Sequence, residues 1–452
     1  MLKLDHSSSV RWKVAHSLLL VAVWVFAALS SAPTAFAVTR YVSPTGKYVI
    51  TIAGKQHPNY CYNPKKPCKS INWAVSHAQS GDTISVAAGH YVENVSVSKN
   101  LTIKGVGAYL MDTPITWVDD NKQGNVFTVA ATATIKSMLI SNGKNGISND
   151  GNLTVEGCLV GGSDGAGDGS GIKNLANGTL VLKRVWLVGN KSAGLFNVGS
   201  ATLDEIWAFA NKDGIVNGPM PTSSLDVSNS VIWNNKMVGV VNHETKKLSM
   251  QNVTISGNEQ TGLEQYGKLA SLDYVTISKN GVETNGQGIR AAEGGGGVTI
   301  THSIVYGNGP PGANQCTYTS TVGSVASNPF TDGGYNVFAD NSGCQAWPNP
   351  SSKTDNPKLK ALSRDDTKPK ITLTHALEWE VLPSTWCRRA NAFQETSAMS
   401  RARLTEKRTA HWNAMRARTN SNSSSMSVRL VSSKLLKASN GRSVVTWNGL
   451  PI

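Results

Sequence analysis

Glycine followed by a branched apolar residue recurs at Gly146, Gly171, Gly194, Gly214, Gly239, Gly262 and Gly288, at spacings of 25, 23, 20, 25, 23 and 26. A unit of roughly two dozen residues is too small to bury an apolar face alone, so units of this length must stack on one another. The stretches between the glycines are short and alternate apolar with polar residues. In GDTISVAAGHYVENVSVSKNLTIKGVG, Gly81 to Gly107, three such runs each end in a Gly or Asn break, the pattern of strand, turn, strand, turn. The 43 glycines and 16% charged residues of the 452-residue chain fit a large β-rich body.

A second landmark fixes the phase. The segments RVWLVGN, EIWAFAN, SVIWNN, NVTISGN, YVTISKN and SIVYGN close on Asn190, Asn211, Asn235, Asn258, Asn280 and Asn308. Asn tolerates left-handed backbone, so each closing Asn is expected at the sharp turn itself. Propeller blades need about 40 residues and leucine-rich repeats need a fixed Leu frame, which leaves a parallel β-helix as the physical fit.

Strand alternation then assigns faces. Positions three and five before the Asn, such as Leu187 and Val185 or Ile255 and Val253, point inward. Positions two and four before it carry Trp186 and Val188, Trp207 and Phe209, Trp233 and Val231 on three successive coils, and point outward. Coils about 4.8 Å apart would merge these rings into one outer patch, larger than a soluble monomer usually leaves bare. Trp186, Trp207, Phe209 and Trp233 are therefore the candidate carbohydrate-binding residues, since flat amphipathic rings on a rigid sheet match the apolar faces of pyranoses. Cover by a loop or by the C-terminal stretch is the competing reading, with Asp204 and Glu205 as nearby hydroxyl acceptors if sugar is bound.

Arg11 and Lys13 precede the apolar run Ser17 to Leu29, and the small-residue site AFA ends at Ala37. This is the pattern of a secretory signal peptide cleaved before Val38, after which no transmembrane segment is expected. The formal net charge is +14, but residues 381–452 carry 12 Lys or Arg against 2 acids and residues 1–37 carry 3 against 1, leaving the body at +2. That near-neutral body argues against nucleic acid as a partner. Six cysteines in an exported chain imply disulfides. Cys61 and Cys68 flank YNPKKP and are expected to close a small loop, Cys316 and Cys344 a second, while Cys158 inside a strand pattern is expected as a buried small hydrophobe. No cysteine spacing of a zinc site occurs, so no metal and no cofactor are expected.

These repeats resemble the right-handed β-helix of the pectin-lyase-like superfamily, and V-T-I-S-G-N at Val253 to Asn258 is close to its repeat consensus. YVSPTGK followed by PCKSINWAVSHAQSGDTISVAAGHYVENV resembles the N-terminal start of exported bacterial β-helices. The resemblance implies an all-β, single-stranded right-handed parallel solenoid with a capping helix from about Ile71 to Gln79, Ser70 as N-cap and Gly81 just beyond. The superfamily includes lyases, hydrolases, esterases and adhesins, so the fold alone does not name an activity. Lyases of this fold hold Ca²⁺ on paired carboxylates beside an Arg or Lys base, and the hydrolases cluster aspartates. Within the coils there is no N-x-D with its paired D-D downstream, no G-H-G and no R-x-K. Asp119 and Asp120 in WVDDNK are read as a solvated turn, and Asp164 and Asp168 in GGSDGAGDGSG as a loop between coils.

After THAL, Thr374 to Leu377, the resembling proteins continue with G-S-P-A-I-D and close near C-D-x-G-A. Neither motif is present here. Codons chosen for Glu380 to Arg388 and Asn413 to Arg418 and read two bases later can spell both, which suggests a frameshift near Trp379. The expected organisation is a signal peptide at 1–37, an N-terminal lead-in and cap at 38–80, coils at 81–310, and a loop-rich closing region at 311–378. A basic stretch without stable fold at 379–425 and a strand-like remnant at 426–452 follow. The expected role is an exported or cell-surface glycan-binding or structural scaffold, with adhesin or a lyase or hydrolase of acidic polysaccharide as alternatives.

Overall fold

The computed structural model describes residues 37–364 and 373–374, apart from the internal segments 109–113, 166–168, 221–222, 244–246, 285, 293–296, 320–327, 340–342 and 345–348. The leader, the basic stretch 379–425 and the expected strand-like remnant 426–452 lie outside the described residues, as does Asp168. The chain divides into a unit ending at Asn356 and a second from Pro357. Of the second, the described part includes a short antiparallel pairing of Ser363–Arg364 with Leu373–Thr374.

The first unit is a parallel β-solenoid. Each central coil makes three strands, as in Thr179–Lys183, Trp186–Val188 and Ala193–Asn197, followed on the next coil by Ser200–Asp204, Trp207–Phe209 and Asp213–Asn217. We call these three positions the first, second and third faces. First- and second-face strands join in one 20-stranded sheet, and the third face is a separate sheet of ten described strands. Neighbouring coils pair in parallel, for example Thr179 with Ser200, Trp186 with Trp207, and Leu195 with Ile215, and the register shifts between Lys136 and Met138 where Ala133–Ser141 pairs with Leu101–Gly107. The ladder runs past residue 310, because Phe330–Asp332 and Val337–Phe338 pair with Val298–Thr301 and Ile304–Tyr306.

A single left-handed residue makes the bend between the first and second faces on each coil: Arg184, Glu205, Asn229, Asn252, Tyr274 and His302, with φ between 49° and 55°. A single such residue turns the chain while leaving the ladder on either side intact, so both faces share one sheet. The bend after the second face also uses one left-handed residue, but it is the residue before the closing Asn: Gly189, Ala210, Asn234, Gly257, Lys279 and Gly307. This corrects the expected role of the closing Asn. Each is buried, and each amide donates to the next, Asn190 to Asn211 at 2.8 Å, Asn235 to Asn258 at 2.9 Å, Asn258 to Asn280 at 2.8 Å and Asn280 to Asn308 at 2.8 Å. A second ladder, Asn149, Asn174, Asn197, Asn217 and Asn242, ends on Gln265 inside the third face. Stacked amides satisfy one another in an interior that water does not reach.

The repeating glycines follow from the same stacking. A Cβ on Gly194 or Gly262 would sit 2.7 Å from the carbonyl oxygen of the next repeat glycine, so the position excludes a side chain for lack of space. The interior between these ladders is aliphatic, and the inward positions Val185, Leu187, Ile206, Ala208, Ile232, Val253, Ile255 and Ile277 are essentially inaccessible.

At the start, Thr39–Val42 pairs with Thr83–Val86, and the helix Ile71–His77 buries Ile71, Ala74 and Val75 against the first coil. The hydroxyl of Ser70 accepts from Trp73 N–H at 3.0 Å, and Glu93 accepts from the N–H groups of Ile71 and Asn72 at 2.9 Å. Lys99 donates to the carbonyls of Ser76 and Ala78 at the other end. Both termini of a short helix are thus closed by the coil it covers. The helix stops two residues earlier than expected, because Ala78 is extended at φ −71° and ψ 154°. Disulfides join Cys61 to Cys68 and Cys316 to Cys344. Cys158 is a buried free thiol whose pKa burial pushes up to about 12.

Candidate functional site

The outward side of the second face carries the aromatic residues in register. Trp186 lies beside Trp207, Val188 beside Phe209, and Phe209 beside Trp233 on three successive coils. Ring centroids are 5.8 Å apart for Trp186 and Trp207, 6.0 Å for Trp186 and Phe209 in an edge-to-face contact, and 5.2 Å for Phe209 and Trp233, which stack. Each ring is half-buried. The indole N–H groups of Trp207 and Trp233 are inaccessible and have no acceptor among the described residues. A buried donor left unpaired costs about 1 to 3 kcal/mol. Toward later coils the same two columns change to Thr254, Ser256, Thr276 and Ser278. Ser256 and Ser278 are buried, so beyond the aromatic centre the strip narrows to the half-buried threonines.

Toward earlier coils the columns continue through Leu159 and Leu139 to Trp117 and His90. His90 stacks on Trp117 with centroids 3.9 Å apart, and its Nε2 lies 2.5 Å from Asp119 Oδ2. Trp117 donates its indole N–H to Ser141 at 2.7 Å. A carboxylate oxygen is an acceptor, so the His90 Nε2–H donates to Asp119. His90 is not among the candidates that the sequence singles out. Its signal was the register of GHYV against TWVD one coil later, which sets His90 over Trp117 and Val92 over Asp119.

The carboxylates singled out in the sequence prove to be engaged. Asp119 and Asp120 are 4% and 2% exposed, and the solvated turn is therefore corrected to a buried one. Asp120 accepts from the N–H groups of Gln123 at 2.9 Å and Gly124 at 2.6 Å. Asp164 bridges Lys122 and Lys191 at 2.8 Å each, and their hydrogen bonds hold its carboxyl down at about 2. Asp204 accepts from Ser228 and Asn229, and Glu205 lies 4.0 Å from Arg184. Asp213, missed in the sequence, is half-buried. Burial raises its carboxyl pKa against the hydrogen bond it receives from Val238 N–H at 3.1 Å. Among the described residues no three His, Cys, Asp or Glu side chains converge to hold a metal ion, and no helix is long and apolar enough to cross a membrane.

Three strands per coil, stacked in parallel around two amide ladders, define a parallel β-helix. Residues 209–344 match the family model of the right-handed β-helix region. Among solved structures the chain is similar to a pectate lyase, at 14% identity and a TM-score of 0.45 over 73% of this chain and 92% of that one. It is also similar to the A-module of a mannuronan C-5 epimerase from Azotobacter vinelandii, at 13% identity and a TM-score of 0.42 over 59% and 88%. A rhamnogalacturonan lyase is similar at 12% identity and a TM-score of 0.34 over 78% and 98%. No curated protein matches the sequence.

Proposed function

We propose that the protein is an exported or cell-surface β-helix that binds a glycan along the outer strip of its second face, through Trp186, Trp207, Phe209 and Trp233. The observation that carries this reading is the register of these rings on consecutive coils. A sheet that cannot flex holds them at fixed spacing, so ordering them on binding costs little entropy. Two disulfides suit an oxidising compartment outside the cytosol. The adhesin and structural-scaffold readings share this surface and differ in partner.

Binding of Trp207→Ala and Trp233→Ala to glycans retained by the unsubstituted protein tests the proposal. The expected loss is on the order of tenfold for each, the scale of one to two kcal/mol per stacked ring. Unchanged affinity in both variants would reassign the rings to packing.

A second reading, a lyase or hydrolase of acidic polysaccharide, is favoured by the His90 and Asp119 pair on the same strip, since a His oriented by a buried carboxylate is a general base. An assay for unsaturated products and reducing ends on acidic polysaccharides, with His90→Ala as control, tests it. Turnover equal in the two proteins would remove His90 from the chemistry.

A further inference from the structure

The near-neutral total of the body conceals a segregation of charge. Between Val38 and Gly81 the chain has Arg40, Lys47, Lys55, Lys65, Lys66 and Lys69 and no Asp or Glu, so with the body at +2 the remainder, 82–380, carries −4. Arg40 is buried and bonded to Asp82 at 2.8 Å. All five lysines are exposed, and none is within an ion pair among the described residues. Glu93, the next acid in the chain after Asp82, is occupied by the helix N–H groups. An excess of cation is therefore concentrated on the N-terminal cap.

The same cap presents a concavity of about 380 Å³, lined in part by Ile50, Ile52, Pro58, Tyr60, Tyr62 and Lys66. One wall is the hairpin of Val49–Ile52 with Lys55–Pro58, where Ile52 and Lys55 are register partners. Tyr60 and Tyr62 are 48% and 54% exposed, with ring centroids 6.3 Å apart. Their positions are fixed from behind. Arg40 donates to Tyr60 O at 2.8 Å and lies 4.6 Å from the Tyr62 ring, the Cys61–Cys68 disulfide closes the loop, and the Asn59 amide donates to the carbonyls of Lys47, Lys66 and Pro67. Exposed apolar rings held rigidly beside uncompensated cations are an arrangement for a ligand that is both cyclic and anionic.

We propose that this cap is a second, separate binding site, for a segment of an acidic polysaccharide whose sugar rings enter the concavity against Tyr60 and Tyr62 while its anionic groups meet Lys55, Lys65 and Lys66. A bilayer surface is flat at this scale and would touch the rim without reaching the floor, so the concavity favours the polysaccharide over an anionic membrane. The site does not depend on the tryptophan strip of the second face.

The test is affinity electrophoresis of the full chain through gels containing carboxymethyl dextran or unmodified dextran, with co-sedimentation on phosphatidylserine vesicles as a parallel arm. The basic stretch at 381–452 is then a constant background. Carboxymethyl dextran is expected to retard the protein and dextran to do so far less. The triple variant Lys55→Gln, Lys65→Gln, Lys66→Gln should weaken the retardation on the order of tenfold at low salt. Tyr60→Ala, which leaves the charge and the carbonyl bonded to Arg40 in place, should weaken it several-fold. The site is overturned if the triple variant or Tyr60→Ala binds like the unsubstituted protein, or if the vesicles capture the protein while the charged dextran does not.

Discussion

At the scale of single residues, the closing asparagines serve the interior, while the residue before each of them makes the bend. Asn235 receives at its Oδ1 the backbone N–H of Asn211 at 3.1 Å and the Asn211 amide at 3.1 Å, and donates to Asn258 and to the carbonyl of Ala208. Removing one amide strands partners on both neighbouring coils. Asn235→Ala is expected to destabilise the protein by about 2 kcal/mol, the penalty of buried groups left unpaired, measured as a lowered denaturant midpoint. Equal midpoints would mean that water enters the interior at that coil. The recurrence of Asn was plain in the sequence, whereas its inward direction was not. The left-handed residue shifts by one position, and alternation counted from the wrong bend points a side chain the wrong way.

Among elements, the N-terminal strand is held by a buried pair. Arg40 Nε donates to Asp82, which also accepts from the N–H groups of Val38 and Gln79 at 2.9 Å. Burial works to raise the Asp82 carboxyl, but the hydrogen bonds from Gln79, Val38 and Arg40 outweigh it and its pKa falls below the ordinary value. A depressed folded-state carboxyl contributes stability above the unfolded pKa of about 3.9 and loses it as pH falls through the lower folded value. Asp82→Asn is therefore expected to cost about 3 kcal/mol at pH 7, with the gap to the unsubstituted protein closing below about pH 3.9. A gap that stays constant with pH would show that hydrogen bonding alone, and not charge, holds the strand.

For the whole molecule, a stack of coils in contact only with neighbours should open from its ends. The disulfides lie near the first strand and near the last ones, since Cys68 bridges to Val42 and Cys316 pairs beside Ile289. Reduction is expected to speed amide exchange in Thr39–Val42 and in Cys316–Thr319, while the central strand Ser224–Trp233 keeps its protection. Uniform acceleration across all coils would indicate one cooperative unit.

Reading along the chain alone yields the repeat length, the inward aliphatic positions, the outward aromatic row and the small Cys61–Cys68 loop. Each of these depends on strand alternation or on residues close along the chain, and local periodicity reports such features directly. Relations between coils, by contrast, emerge only once the chain is folded. They include the amide ladders, the steric need for Gly194 and Gly262, the burial of Asp119, and the setting of His90 on Trp117 with its nitrogen on that aspartate. The gathering of Tyr60, Tyr62 and Lys66 around one concavity belongs with them. In a solenoid the neighbour in space is about two dozen residues away in sequence, and variable loops set that distance differently for every coil. The register that brings two side chains together is therefore fixed by the stacked hydrogen-bond ladder and cannot be counted along a single chain.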